Sequence, residues 1–163
     1  GFKINLSIYS AVYNKEYQYV FNELVELVND LNLYQYVNLN SNYMEDSETI
    51  RLLTNQDLLI FPYQFTNESS SAAVRYGLST YRPVLVTPLP IFDDLSDLIY
   101  YLDGFSPIDI AKSIKKFVRD KDVSSIKSDQ IDSKKIKIIK QRSFSAISDR
   151  LLNIVKSLEI NSL

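Results

Sequence analysis

The chain contains no cysteine and no histidine. Without cysteine there is no disulfide, no thiolate nucleophile and no zinc–thiolate site. Without histidine, the Ser-His-Asp triad, the usual imidazole general base and most transition-metal sites fall away together. Any chemistry must run on carboxylates, hydroxyls, lysine, arginine or backbone donors. Glycine is scarce too, with 3 in 163 residues. No glycine-rich phosphate loop follows the first apolar run, where Tyr9-Ser10-Ala11 stands instead, and the acidic pair of a receiver-like domain is not there either. No apolar run is long enough to span a bilayer, and neither a signal-peptide pattern nor an internal repeat is visible, so the expectation is a cytoplasmic domain.

What is present suits one soluble α/β domain over residues 1–163: 45% hydrophobic and 23% charged residues allow a core without covalent staples. Charge is uneven. Residues 1–100 hold five basic residues (Lys3, Lys15, Arg51, Arg75, Arg82) against 12 acids, which leaves 13 of the 18 basic and eight of the 20 acidic residues to residues 101–163. The basic end offers a peripheral contact with an anionic membrane surface. The plainer reading makes Lys112, Lys115, Lys116, Lys134, Lys135 and Lys137 solvated helix faces. Nucleic acid is not expected as a partner, since the basic residues lack interleaved aromatics and the overall charge is −2.

The segment from Asp57 to Pro88 carries the most information. An apolar run, Leu58 to Phe61, ends at Pro62; a polar loop then delivers Glu68 and the serines 69, 70 and 71 to a small-residue helix, and a second apolar run follows at Val84 to Val86. This is a β-α-β unit. A helix start leaves backbone N–H groups unpaired at the positive end of the dipole, so Ser69, Ser70 and Ser71 are placed to present donors to an anion or a sugar, with Glu68 accepting from sugar hydroxyls beside them. In the plainer alternative Asn67 or Ser69 caps the helix and Glu68 is a solvated first-turn acid.

An aspartate, an apolar strand and a proline, leading to Glu68, a helix, and then Arg82-Pro83-Val84, together resemble the nucleotide-sugar-binding half of GT-B glycosyltransferases, specifically the retaining family 4. Glu68 matches the acid that opens the family's loop and helix, and Pro83 the proline after that helix. Tyr76 stands where the family has a second acid, the one that holds the nucleotide ribose. Ser69 to Ser71 replace the loop glycines. The resemblance implies donor contacts from Glu68, Ser69, Ser70, Ser71, Arg75 and Tyr76, and it places Asn40, Ser41, Asn42 and Tyr43 near the nucleotide base, with Tyr43 available to stack. It implies no metal and no cofactor beyond the nucleoside diphosphate sugar itself.

Outside that unit the agreement is one of pattern. Ile4 to Tyr9 reads as a strand, about Glu16 to Leu31 as a helix with Val20, Phe21, Leu24, Leu27, Val28 and Leu31 on one face, Val37 to Leu39 as a strand and Asp46 to Leu53 as a helix. The alternation predicts a Rossmann-like, mostly parallel sheet flanked by helices. Pro88, Pro90, Asp93, Asp94 and Asp97 form a turn-rich acidic patch whose spacing and lack of nitrogen or sulfur ligands argue against a metal. A further short strand is expected within Leu98 to Phe105. Pro107 opens a helix carrying Ile110, Ala111, Ile114, Phe117 and Val118, and a polar, lysine-rich stretch runs from Asp120 to about Lys135. Behind Ser143 as cap, Phe144, Ile147, Leu151, Ile154, Val155 and Leu158 define a C-terminal amphipathic helix, expected to be docked.

The resembled family supplies an arginine and a lysine for the leaving diphosphate from a β-α unit just before the strand that here begins near Lys3, and its cleft closes against a separate acceptor domain. On this reading the chain is a piece lacking both parts, Gly1 is a cloning remnant, and the chain alone should not turn over. Its function would be nucleotide-sugar binding in transfer to a glycan or lipid-linked acceptor, at the cytoplasmic or inner membrane face. The alternative is a catalytically silent module that keeps the fold and binds a glycan or a protein, or serves a structural role.

Overall fold

The computed structural model describes residues 3–12, 14–120 and 133–160. Gly1 and most of the lysine-rich stretch after Asp120 lie outside them. The chain divides into two compact units, residues 1–49 and 50–163.

In the first unit, β1 (Leu6–Tyr9) pairs in parallel with β2 (Val37–Asn40), Leu6 opposite Val37 and Tyr9 opposite Asn40. The connection is α1 (Gln18–Asp30), entered through a 3-10 turn at Lys15–Tyr17 that Asn14 caps by accepting from Glu16 N. Of the apolar face read for α1, Val28 is buried, while Val20, Leu27 and Leu31 remain at least half exposed. The left-handed residue that turns the chain after α1 is Asn32, at φ 53°. Asparagine tolerates this conformation through its short polar side chain.

The second unit holds the larger core. The strands β3 (Leu59–Phe61), β4 (Val84–Val86) and β5 (Tyr100–Tyr101) form a parallel sheet in sequence order. Leu59 lies opposite Val84 and Leu85 opposite Tyr100. Between β3 and β4 runs α3 (Ala72–Ser79). Gly77 lets this helix approach β3, since a Cβ there would sit 3.0 Å from the Phe61 ring and 3.3 Å from Leu59 Cδ1. The chain leaves α3 through Tyr81 at φ 61°, a left-handed position that glycine usually fills. A 3-10 segment, Pro90–Leu95, sends Ile91, Phe92 and Leu95 into the core beside Val74, Leu78, Val84, Val86, Leu98 and Ile99. Phe92 is completely buried, with the Tyr63 ring tilted against it at 5.6 Å.

Four helices complete the description. The helix α2 (Asp46–Thr54) ends where the Arg82 Nε–H donates to the Thr54 carbonyl at 2.8 Å, satisfying one of the carbonyls a helix end leaves unpaired. Pro107 opens α4 (Pro107–Asp120), as its fixed φ predicts, behind a Ser106 whose hydroxyl accepts from Asp109 N and donates to the Asp109 carboxylate. Beginning at the end of the stretch read as polar and lysine-rich, α5 (Ser133–Gln141) lays Ile138 and Ile139, beyond that stretch, against the core, and the Lys135 ammonium sits 4.5 Å over the Tyr100 ring. The final helix, α6 (Phe144–Ile160), is capped by Ser143, whose hydroxyl accepts from Ala146 N.

The chain is therefore α/β with parallel strands flanked by helices, as the alternation predicts, but the strands make two small sheets, β1-β2 and β3-β4-β5. The short strand expected within Leu98–Phe105 is Tyr100–Tyr101, bounded by Leu98 and Ile99, which belong to the core, and by Ser106, which begins the cap of α4. The C-terminal helix forms, yet the residues of its apolar stripe are exposed: Phe144 at 93% and Leu151 at 60% exceed what a docked face shows.

Candidate functional site

The polar loop read from sequence runs from Pro62 to Ser71, between the carboxyl end of β3 and the amino end of α3. Ligands of open α/β sheets bind at this end of the strands. The loop is anchored at several points. Thr87, fully buried after β4, donates its hydroxyl hydrogen to the Tyr63 carbonyl at 2.6 Å, and Gln64 Nε2 donates to the Phe105 carbonyl at 3.2 Å. At the far end, the Ser71 and Tyr63 hydroxyls are 2.9 Å apart.

Each candidate donor residue has a definite place. Glu68 is exposed, four residues before α3 begins, so it is a loop acid and not a first-turn acid; its N–H donates to Thr66 Oγ1 at 3.1 Å. Ser69 and Ser70 are exposed in the bend that follows. Ser71 is buried, and its Oγ caps α3 by accepting from Val74 N at 3.2 Å. The capping residue is thus Ser71, in place of the Asn67 or Ser69 expected on the plainer reading; extended backbone at Ser71 turns its oxygen over the first turn. Arg75, one turn into α3, makes an ion pair with Asp94 at 2.8 Å. Tyr76 is half-buried beside it. Arg82 closes α2 and has no part in this loop.

The residues expected near a base belong to the first unit. Asn40 ends β2, and its side-chain oxygen accepts from Asn42 N at 2.8 Å, a local turn that shapes the tip. Ser41 is half-buried and its carbonyl accepts from Val12 N; Asn42 and Tyr43 are exposed. This turn lies at the carboxyl end of its strand, the position comparable to that of the Glu68 loop on its own sheet.

Two features escape a reading of the sequence. Phe65 stands 78% exposed on the anchored loop, three residues from Glu68, offering an apolar ring face of the kind that stacks on a sugar or a base. Its signal was an aromatic residue inside an otherwise polar loop. The other is a cleft of about 460 Å³ at the carboxyl ends of β4 and β5, lined by Pro88, Leu89, Pro90, Asp93, Ser96 and Tyr101. It brings Asp93 of the acidic patch and the Tyr101 ring into one concavity. The Tyr101 hydroxyl is held above the ordinary tyrosine value, first by partial burial, then by the carboxylates of Asp93 and Asp94 and a hydrogen bond to Asp93. A second cleft, about 340 Å³, lies at the amino ends of β1 and β2, the end of a parallel sheet where ligands are not expected.

Among the described residues, no group of three carboxylates is arranged to hold a metal ion, and no helix is long and apolar enough to cross a membrane. No family model matches the chain, and no curated protein matches its sequence.

Proposed function

We propose that this chain is the nucleotide-sugar-binding part of a retaining glycosyltransferase, presenting a nucleoside diphosphate sugar for transfer to a glycan or a lipid-linked acceptor. The observation that carries the reading is the anchored loop Pro62–Ser71 at the carboxyl end of β3, which holds Glu68 exposed ahead of the amino end of α3. A carboxylate there accepts from sugar hydroxyls, and the first N–H groups of the helix, with the exposed Ser69 and Ser70, face the charge of a diphosphate. No metal takes part, and the acceptor is bound by a separate domain. A lipid-linked acceptor would bring the protein to the inner face of the cytoplasmic membrane as a peripheral partner.

A second reading is favoured by specific contacts. Ser71 Oγ is committed to the helix cap and to Tyr63, Arg75 is engaged by Asp94, and Tyr76 stands in place of a ribose-binding acid. These support a catalytically silent module that keeps the fold and binds a glycan or a protein.

Ligand-observed NMR with UDP, GDP and their common sugar conjugates separates the two, because it detects millimolar binding. Saturable binding of one nucleotide sugar, weakened in Glu68→Gln, supports donor recognition. No response across the panel from a folded sample defeats it and leaves the silent module.

A further inference from the structure

The exposed stripe of α6 has a regularity beyond amphipathicity. Phe144, Ile147, Leu151, Ile154 and Leu158 step alternately by three and four residues, the heptad pattern of helices that pack against helices, and their exposures are 93, 49, 60, 56 and 63%. The helix is fixed at its start. Arg142 donates to the Asp94 carbonyl at 2.8 Å and lies 3.7 Å from its carboxylate, and Arg150 donates to the Gln141 and Ala146 carbonyls, so the corner between α5 and α6 is tied down while the stripe beyond it faces outward.

We propose that α6 is a self-association surface, on which other copies of this chain pack their own α6. The charge pattern chooses this occupant. Over Phe144–Ile160 the acids Asp149 and Glu159 balance Arg150 and Lys156, and the positions flanking the seam are Ser148, Arg150, Val155 and Ser157. Packed in parallel, a neutral seam with so few flanking charges opposes no like charge when it meets itself, since Arg150 then faces Val155 of the other copy. An anionic lipid surface calls instead for a helix with lysine and arginine along its polar face. Two nearby cations are already taken, Lys135 by the Tyr100 ring and Arg142 by Asp94. Leucine at one seam position (Leu151, Leu158) and isoleucine at the other (Ile147, Ile154) favour bundles of more than two helices. Val155, exposed beside the seam, widens the stripe in the same sense. The 17-residue helix spans about 25 Å, enough for five seam layers. This inference stands independently of the nucleotide-sugar reading.

The absence of cysteine makes the test direct. Sedimentation velocity of the chain between about 1 and 100 μM, the range in which contacts of modest size associate, is expected to show mass rising above the monomer. Ile154→Lys should abolish the rise and Asn153→Lys, on the opposite face, should preserve it, with the circular dichroism of both unchanged at low concentration. Leu151→Cys is expected to form an intermolecular disulfide on mild oxidation and Asp149→Cys not to. A monomer at every concentration overturns the proposal, as does equal loss of association in both lysine variants. Flotation of a purely monomeric chain with phosphatidylglycerol vesicles, lost in Ile154→Lys, overturns it in favour of a lipid surface.

Discussion

The hydroxyls of Tyr63 and Ser71 lie 2.9 Å apart at the two ends of the loop that carries Glu68, and the same Ser71 oxygen accepts from Val74 N to cap α3. One oxygen thus closes the loop and starts the helix. Ser71 is 1% exposed, so its removal leaves a half-buried Tyr63 hydroxyl without its partner. Loss of a cap costs about 1 kcal/mol, and the half-buried hydroxyl left without its partner adds less than the roughly 1 to 3 kcal/mol of a fully buried one. Ser71→Ala is expected to lower the urea midpoint accordingly, while Tyr63→Phe, which keeps the cap, costs less. Equal midpoints for Ser71→Ala and wild type would show that the cap carries no energy.

The approach of α3 to β3 rests on Gly77. A Cβ would already press on the Phe61 ring edge at 3.0 Å, and the two further methyl groups of valine have no space between Phe61 and Leu59. Gly77→Val is expected to destabilise by about 1 to 3 kcal/mol through overpacking, against the small helix-propensity gain of replacing glycine. Denaturant melts of Gly77→Ala and Gly77→Val distinguish the terms: alanine should be nearly neutral and valine clearly destabilised.

How much of this was legible in the sequence depends on the range of the forces involved. The strand–loop–helix–strand order around Glu68 was readable because apolar runs and the proline and serine punctuation are local, and Leu59–Phe61, Ala72–Ser79 and Val84–Val86 fall where the pattern puts them. Pro107 and Ser143 were readable as helix starts for the same reason. The acidic residues at 93, 94 and 97 drew attention away from Ile91, Phe92 and Leu95 between and beside them, which are core; a 3-10 turn has no periodicity long enough to reveal which side faces in. The pairing of Arg75 with Asp94 joins residues 19 apart in sequence, and the partition of strands into two sheets depends on long-range pairing that no window sees. The apolar stripe of α6 was legible, but its exposure was not, since periodicity gives a face and not what covers it.

Tyr101 supplies a pH test. Partial burial and the Asp93 and Asp94 carboxylates disfavour its phenolate, so its folded pKa lies above the ordinary 10.0. The folded chain then holds a proton that the unfolded chain releases. This stabilisation is therefore complete below pH 10 and falls away as pH rises through the folded value. Phenolate absorbance should show a late-titrating component that is reduced in Tyr101→Phe and shifted down in Asp93→Asn. An unchanged late component in both variants would assign it elsewhere.

Tyr76 is where the proposed function is most exposed to refutation. It lies half-buried one residue after Arg75 on α3, and a ribose-binding acid is what the glycosyltransferase reading needs at that position. Tyr76→Glu places a carboxylate able to accept from both ribose hydroxyls, bonds to a charged acceptor being worth about 1.5 to 3 kcal/mol. Affinity for the nucleoside diphosphate that binds wild type should rise about tenfold or more by NMR titration, while the free sugar phosphate is unaffected. A parallel rise for both ligands would mean a general electrostatic effect. No rise for either, in a variant whose melting is unchanged, would mean that the surface around α3 does not hold a ribose, and the silent-module reading would then account for the anchored loop better.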